Sequence, residues 1–244
     1  MLGSDLVRYL NTKFEVTAIH KKNYLSYMGK SFDIVINANG NSKRFWANQN
    51  PQEDFSASTA SVIQSIFDFP CSIYIYFSSP DVYENHTKAE CTKEYGWINP
   101  EKLQPYGFHK YLSELIVKKY KEKFIILRPS MILGSNLKKG PIYDILQNKP
   151  LYITLQTKLQ FITTQAISEI IEIILKKSID NITLNIGGTE NFSFTKIQDY
   201  FDQKIQISKD AQTQTYMMNI EKLKGLYPTL KTSEVYLQEF MNNL

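Results

Sequence analysis

An α/β fold, a parallel sheet covered by helices on both sides, is predicted by three observations. Strand-like apolar runs alternate with segments of helical period through the first half of the chain, the pattern of consecutive βαβ units. Residues 32–38 (FDIVINA) are almost continuously apolar, as a strand buried on both faces is. Small and polar residues follow the apolar runs at Asn37-Ala38-Asn39-Gly40, Ser78-Ser79-Pro80 and Arg128-Pro129-Ser130. Ligands of open parallel sheets bind beyond such carboxyl ends.

The elements follow in order. Leu2, Leu6, Val7 and Leu10 recur at helical spacing and predict a first helix. Residues 14–19 (FEVTAI) predict a strand, and 32–38 another, stopped by Asn39-Gly40-Asn41. Between them the connection has room for one helical turn near Tyr24–Tyr27. Phe55, Thr59, Val62, Ile63, Ile66 and Phe67 place a long helix over 51–69. Residues 71–77, rich in Ile and Tyr, read as a strand. A loop runs to about Gln104, then a helix over 106–121 and a strand over 124–127. The second half is less regular. Helices are predicted at 142–146, 165–177, 195–201 and 233–242, and a short strand at 183–186 ended by Gly187-Gly188. Asp210–Thr215 is a short polar stretch.

Length and composition narrow the function. The chain has 244 residues, a net charge of +4 and 43% hydrophobic residues, ordinary for a globular α/β domain with an appendage. No apolar run approaches the ~18 residues a membrane span needs, and Asp5, Arg8 and Lys13 interrupt any secretory pattern. Two cysteines, Cys71 and Cys91, are too few for a disulfide framework or a cysteine-rich metal site. They read as free thiols of a cytoplasmic protein, and no metal site is expected. Arg8, Arg44 and Arg128 are the only arginines; nucleic-acid readers lean on arginine, so that class is disfavoured. Residues 118–123 (KKYKEK) read as a solvated helix end.

Tyr106 and Lys110 lie four apart at a helix start and face one way. An ammonium near a phenol stabilises phenolate and draws its pKa from ~10 toward neutrality, which suits Tyr106 to general acid–base work. Spacing alone selects nothing, because Tyr9/Lys13, Tyr200/Lys204 and Tyr227/Lys231 share it. Context selects the pair: it follows Pro105 and lies downstream of a strand ending in Ser78-Ser79. Each strand end taken singly is ordinary loop chemistry, and Lys110 alone an ordinary helix lysine. Together, in order, they define one candidate site.

These stretches resemble the extended short-chain dehydrogenase/reductases, specifically the NAD-dependent epimerase/dehydratase group that modifies nucleotide sugars. The resemblance is carried by DIVINANG (33–40), Asn50-Pro51 before a long helix, YFSSPDVY (76–83), PYGFHK (105–110), ILRP (126–129), LQFITT (159–164) and LNIGG (184–188). It implies a Rossmann-like sheet, with Ser79 hydrogen-bonding the substrate oxygen, Tyr106 as acid/base, and Lys110 holding the nicotinamide ribose. It further implies that Gly3, Asn37, Ala38, Gly40, Ser78 and Pro129 line the cofactor. His20 and Lys21 stand where the group carries an acidic residue when it prefers NAD, which tilts the expectation from NAD toward NADP. A nucleotide-sugar substrate and a homodimer are implied partners.

The chain departs from the group at its start. Gly3 matches the last glycine of a glycine-rich turn, and the first strand and earlier glycines have no counterpart. Two expectations follow. Either Met1 is internal to a longer frame, with about a dozen further residues in this fold, or the chain is a relative that binds dinucleotides poorly. The expected architecture is a sheet lacking its first strand, with residues 1–129 and the returning segment 161–188 forming the dinucleotide domain. Residues 130–160 and 189–244 form a small substrate region. The expected function is a nicotinamide-dependent epimerase or reductase; the alternative is an impaired or non-catalytic ligand-binding relative. Asp81, alone after the serine strand, argues against a dehydratase, which needs an extra acid and base.

Overall fold

The computed structural model describes all of Met1–Leu244. Its main sheet has four parallel strands in the order β1 (Phe32–Asn37), β2 (Cys71–Phe77), β3 (Phe124–Pro129) and β8 (Ile182–Ile186). Side chains alternate across it, as the pleat requires. Tyr74, Tyr76 and Ile126 pack with Val62, Ile66 and Val117 on one face. Ile75, Phe77, Ile125 and Leu127 face the main core on the other. The first face is covered by α5 (Ser61–Asp68) and α6 (Pro105–Tyr120), the second by α1 (Leu2–Leu10) and α8 (Thr164–Lys176). The fold is thus the Rossmann-like α/β class.

The expected strand over 14–19 does not form. Residues 15–20 join no ladder and are largely exposed. The reason is pairing: β1 is the sheet edge, and no strand stands on its outer side. The β-propensity of Val16, Thr17 and Ile19 has no ladder to act through. A turn over His20–Asn23 and α2 (Tyr24–Tyr27) lead into β1.

The predicted helix over 51–69 is continuous but not uniform. Arg44–Gln49 (α3) and Pro51–Asp54 (α4) precede a π-helical stretch, Phe55–Ala60, before α5. Residues 194–200 form a 3₁₀ turn instead of the expected α-helix, a geometry common in short connectors.

The rest of the chain builds small two-stranded sheets. β4 (Met131–Leu133) pairs with β7 (Phe161–Thr163), β5 (Leu151–Ile153) with β10 (Ile207–Gln212), and β6 (Lys158–Leu159) with β9 (Phe192–Ser193). The polar stretch after Ile207 is therefore partly strand. Helices α7 (Pro141–Leu146), α9 (Glu221–Leu226) and α10 (Ser233–Met241) pack around them. One continuous apolar core joins this region to the sheet through Ile145, Leu151, Phe161, Phe192, Leu223 and Leu237. No helix is long and apolar enough to cross a membrane.

Candidate active site

The site is assembled at the carboxyl ends of β2 and β3. β2 runs into Ser78 and Ser79, and Ser79 caps a 3₁₀ turn over Pro80–Val82. Its Oγ accepts the Asp81 amide at 3.2 Å and donates to Asp81 Oδ2 at 3.0 Å. Pro105 opens α6 at a position whose missing N–H costs nothing, and the Tyr106 amide donates to Asn48 Oδ1 at 3.0 Å. Gly107 lets α6 approach the turn, because a Cβ there would collide with the Asp81 carbonyl. This contact seats Tyr106 against Ser79 and Asp81. One turn further on, Lys110 is buried; its Nζ donates to the Phe77 carbonyl at 3.1 Å and lies 5.2 Å from the Tyr76 ring centroid.

The electrostatics differ from the expectation that Lys110 acidifies Tyr106. Burial pushes the Tyr106 phenol above its ordinary value, and the Asp81 carboxylate pushes it further. Ser79 opposes this, Asp54 adds to it, and Arg44 opposes it. The Lys110 ammonium instead points to a backbone carbonyl, so at neutral pH the phenol keeps its proton. Lys110 itself is pushed down to about 8, chiefly by loss of water.

Asp81 is the hub of a bridge across the cleft. Its Oδ1 accepts from Arg44 at 3.2 Å and from the Tyr216 hydroxyl at 2.8 Å. Arg44 also donates to the Tyr216 hydroxyl, and to Gln214 Oε1 at 3.3 Å. The His86 ring stacks on Tyr216 at 3.9 Å. A cavity of about 450 Å³ lies alongside, lined by Arg44, His86, Tyr152, Gln214 and Tyr216. Lys139, in the bend after β4, feels the charges of Asp81, Lys43 and Arg44; loss of water holds it down to about 8. Asp81 opposes that fall, and the two cations deepen it.

Below the cleft, α6 is pinned to the sheet. Arg128 on β3 donates to both carboxylate oxygens of Glu114, at 2.8 and 2.6 Å, and to the Tyr83 hydroxyl at 2.6 Å. Tyr83 donates to Asn185 Oδ1 on β8 at 2.8 Å. Arg128 and Glu114 are fully enclosed, so their pairing, with the Tyr83 hydroxyl on Arg128, compensates for the lost water.

The residues expected at a cofactor fall into two groups. Gly3 opens α1 beside β1, where a Cβ would stand 3.6 Å from that of Ala38. Gly40, at φ 113°, adopts a left-handed backbone and leaves open space next to Lys110 Nζ. The Ser78 and Ser130 hydroxyls are buried without a partner, Ser130 directly after Pro129 at the end of β3. Orphaned hydroxyls and open backbone at these strand ends fit a ligand rich in hydrogen-bonding groups. Asn37 differs from expectation: its amide is engaged with Ser65, Tyr74 and the Asn39 N–H. His20 and Lys21 lie in the exposed turn and make only local contacts.

Sequence reasoning missed Arg44, Asp54, His109, Lys139 and Tyr216, and picked out Ser130 only as part of a polar strand end. Arg44 carried a signal, as one of few arginines in a lysine-rich chain. His109 did too, standing beside Lys110. Tyr216 carried none, since only the fold brings it to Asp81.

A parallel sheet with a serine, a tyrosine and a lysine gathered at its carboxyl end carries its candidate site where α/β sheets bind ligands. The chain belongs to the NAD dependent epimerase/dehydratase family, whose model matches residues 1–207. Among solved structures it is similar to a UDP-galactose 4-epimerase, at 18% identity and TM-score 0.76, covering 100% of this chain and 95% of that one. It is similar to dTDP-4-dehydrorhamnose reductase from Bacillus anthracis in complex with NADP, at 16% identity, TM-score 0.80 and coverage of 100% and 95%. It is also similar to UDP-glucuronic acid 4-epimerase from Bacillus cereus in complex with UDP-glucuronic acid and NAD, at 18% identity, TM-score 0.68 and coverage of 87% and 76%. No curated protein matches the chain by sequence.

Proposed function

We propose that this chain is a nicotinamide-dependent epimerase or reductase acting on a nucleotide-linked sugar. The observation that carries the reading is the apposition of Ser79 and the buried Tyr106 at the carboxyl end of the sheet, with Lys110 one helical turn on. Family membership and relatives that hold UDP-glucuronic acid or NADP support it. A bound nicotinamide supplies the hydride chemistry that no side chain has. Tyr106 exchanges a proton with the reacting sugar oxygen, and Ser79 hydrogen-bonds that oxygen after turning from Asp81. Lys110 holds the ribose.

Because burial and Asp81 keep the phenol protonated, Tyr106 starts as an acid, which suits reduction of a ketone. Elimination would need further free acid and base groups, and Asp81 is committed to Arg44 and Tyr216. Gly3, Ala38, Gly40, Ser78 and Pro129 line the dinucleotide in this reading. Lys21, beside His20 in a basic exposed turn, faces the 2′-phosphate of NADP. A second copy covers the aromatic face of the π-helical stretch, α5 and α6, where Phe55, Phe67, Phe108 and Tyr120 are exposed.

A non-catalytic ligand-binding relative is the second reading, favoured by the unpaired outer edge of β1. The two are separated by incubating the chain with oxidised NAD or NADP and UDP-galactose or UDP-glucuronic acid, or with NADPH or NADH and dTDP-4-dehydrorhamnose, followed by proton NMR. The enzyme reading predicts conversion of one sugar and tighter binding of NADPH than NADH. Binding without conversion establishes the second reading, and neither binding nor conversion overturns both.

A further inference from the structure

Asp54 is a fully buried carboxylate that the proposed reaction does not use. It ends α4 and faces α6, where His109 immediately precedes Lys110. Its Oδ2 lies 2.7 Å from His109 Nδ1, and its Oδ1 accepts from Asn41 Nδ2 at 2.8 Å and from Ser58 Oγ at 3.2 Å. An ionised carboxylate only accepts, so Nδ1 carries the proton and His109 is the donor. The π-helical stretch and α6 itself supply the other fixings. Thr59 Oγ1 donates to the His109 carbonyl at 3.2 Å, and Ser113 Oγ to the same carbonyl at 2.7 Å. A wide turn of this kind inside an α-helix often marks a functional position; here it turns Ser58 and Thr59 toward α6.

The carboxylate network reaches the lysine across Gly40. A Cβ on Gly40 would stand 3.6 Å from Lys110 Nζ and 3.7 Å from Ser58 Oγ. The ammonium and the hydroxyl bonded to Asp54 therefore border the same methyl-sized space. The other charges facing Lys110 are accounted for. Glu114, on its own helix, is spent on Arg128. Lys139, from the turn after β4, is a like charge. β2 offers the Tyr76 ring and a neutral carbonyl, and Tyr106 keeps its proton. Asp54 is the carboxylate left to balance Lys110.

We propose that Asp54, fixed by His109, Ser58 and Asn41, is a positioning residue that acts through Lys110, serving as the counter-charge that keeps the buried amine an ammonium. The role assigned to Lys110 at a ribose rests on the proposed function; the charge coupling does not. Asp54 is the largest influence holding the Lys110 pKa up against burial. Removing its charge therefore lets the proton leave at lower pH.

The test is a pH titration of the Lys110 side chain by NMR, with the chain labelled at lysine Cε and the signal assigned by its loss in Lys110→Gln. Wild type is expected to titrate at about 8. A buried lysine without a counter-charge falls to about 5–6, so a wild-type midpoint near 6 would overturn the proposal even if the Asp54 variant failed to fold. Asp54→Asn keeps the shape and is expected to lower the midpoint by about one unit or more. Lys139→Gln, at an exposed site, is expected to raise it. An unmoved midpoint in Asp54→Asn, with the Lys139→Gln signal shifted, would reduce Asp54 to a packing role. None of these readings requires turnover, so they stand apart from success or failure of the proposed reaction.

Discussion

The wall made by β2, β3 and α6 and the edge made by residues 11–31 with β1 are opposites. In the wall, every strand has a partner on each side, and Arg128, Glu114, Tyr83 and Asn185 form one buried polar chain. At the edge, residues 15–20 pair with nothing, and His20 and Lys21 are exposed. The proposed acid–base residues thus sit where folding alone fixes them. The residues assigned to the dinucleotide's far end sit where only a ligand or a further strand would fix them. The residues proposed for chemistry and those proposed for cofactor selection thus lie in parts of the fold with different numbers of strand partners.

Hydrogen exchange is the largest test of that contrast. Amides of Val16–Ile19 are expected to exchange at least ~10³-fold faster than those of Ile75 and Ile126, since unladdered segments open at almost no cost and core strands only near global unfolding. Similar protection would erase the contrast. Next in size is Glu114→Gln, which leaves Arg128 charged and buried; a loss of about 3–5 kcal/mol is expected in urea unfolding. Lys21→Gln is expected to change stability by less than about 0.5 kcal/mol. Equal losses would mean that the wall is not what holds the site.

A subtler effect concerns the phenol. Asp81 raises the Tyr106 pKa, so Asp81→Asn is expected to lower it, read from the tyrosine Cζ shift against pH. The sign follows from removing a negative charge that opposes phenolate. A rise, or no movement, would show that Asp81 is oriented away from Tyr106.

How much was legible beforehand divides along the same line. Strands 32–37, 71–77 and 124–129 and helices 105–120 and 164–176 declare themselves by period and apolar content. Ser79, Tyr106 and Lys110 stand out by their order along those elements together with the family resemblance of the stretches that hold them. Residues 14–19 have the composition of a strand, but a strand is a property of two segments, and the partner is not in the residues themselves. The direction of the Tyr106 shift was illegible for a similar reason. It depends on Asp81 and on burial, whereas helical spacing showed only Lys110. The bridge of Asp81 to Tyr216 spans more than a hundred residues, a separation no local pattern encodes.

The central claim is that Tyr106 carries the proton in a sugar-nucleotide reaction. Its most direct test is Tyr106→Phe, with conversion of the accepted sugar nucleotide followed by NMR and NADPH affinity by fluorescence. Loss of one hydroxyl is expected to slow conversion about 10²–10⁴-fold, with NADPH affinity unchanged. Conversion by Tyr106→Phe at the wild-type rate would contradict the account.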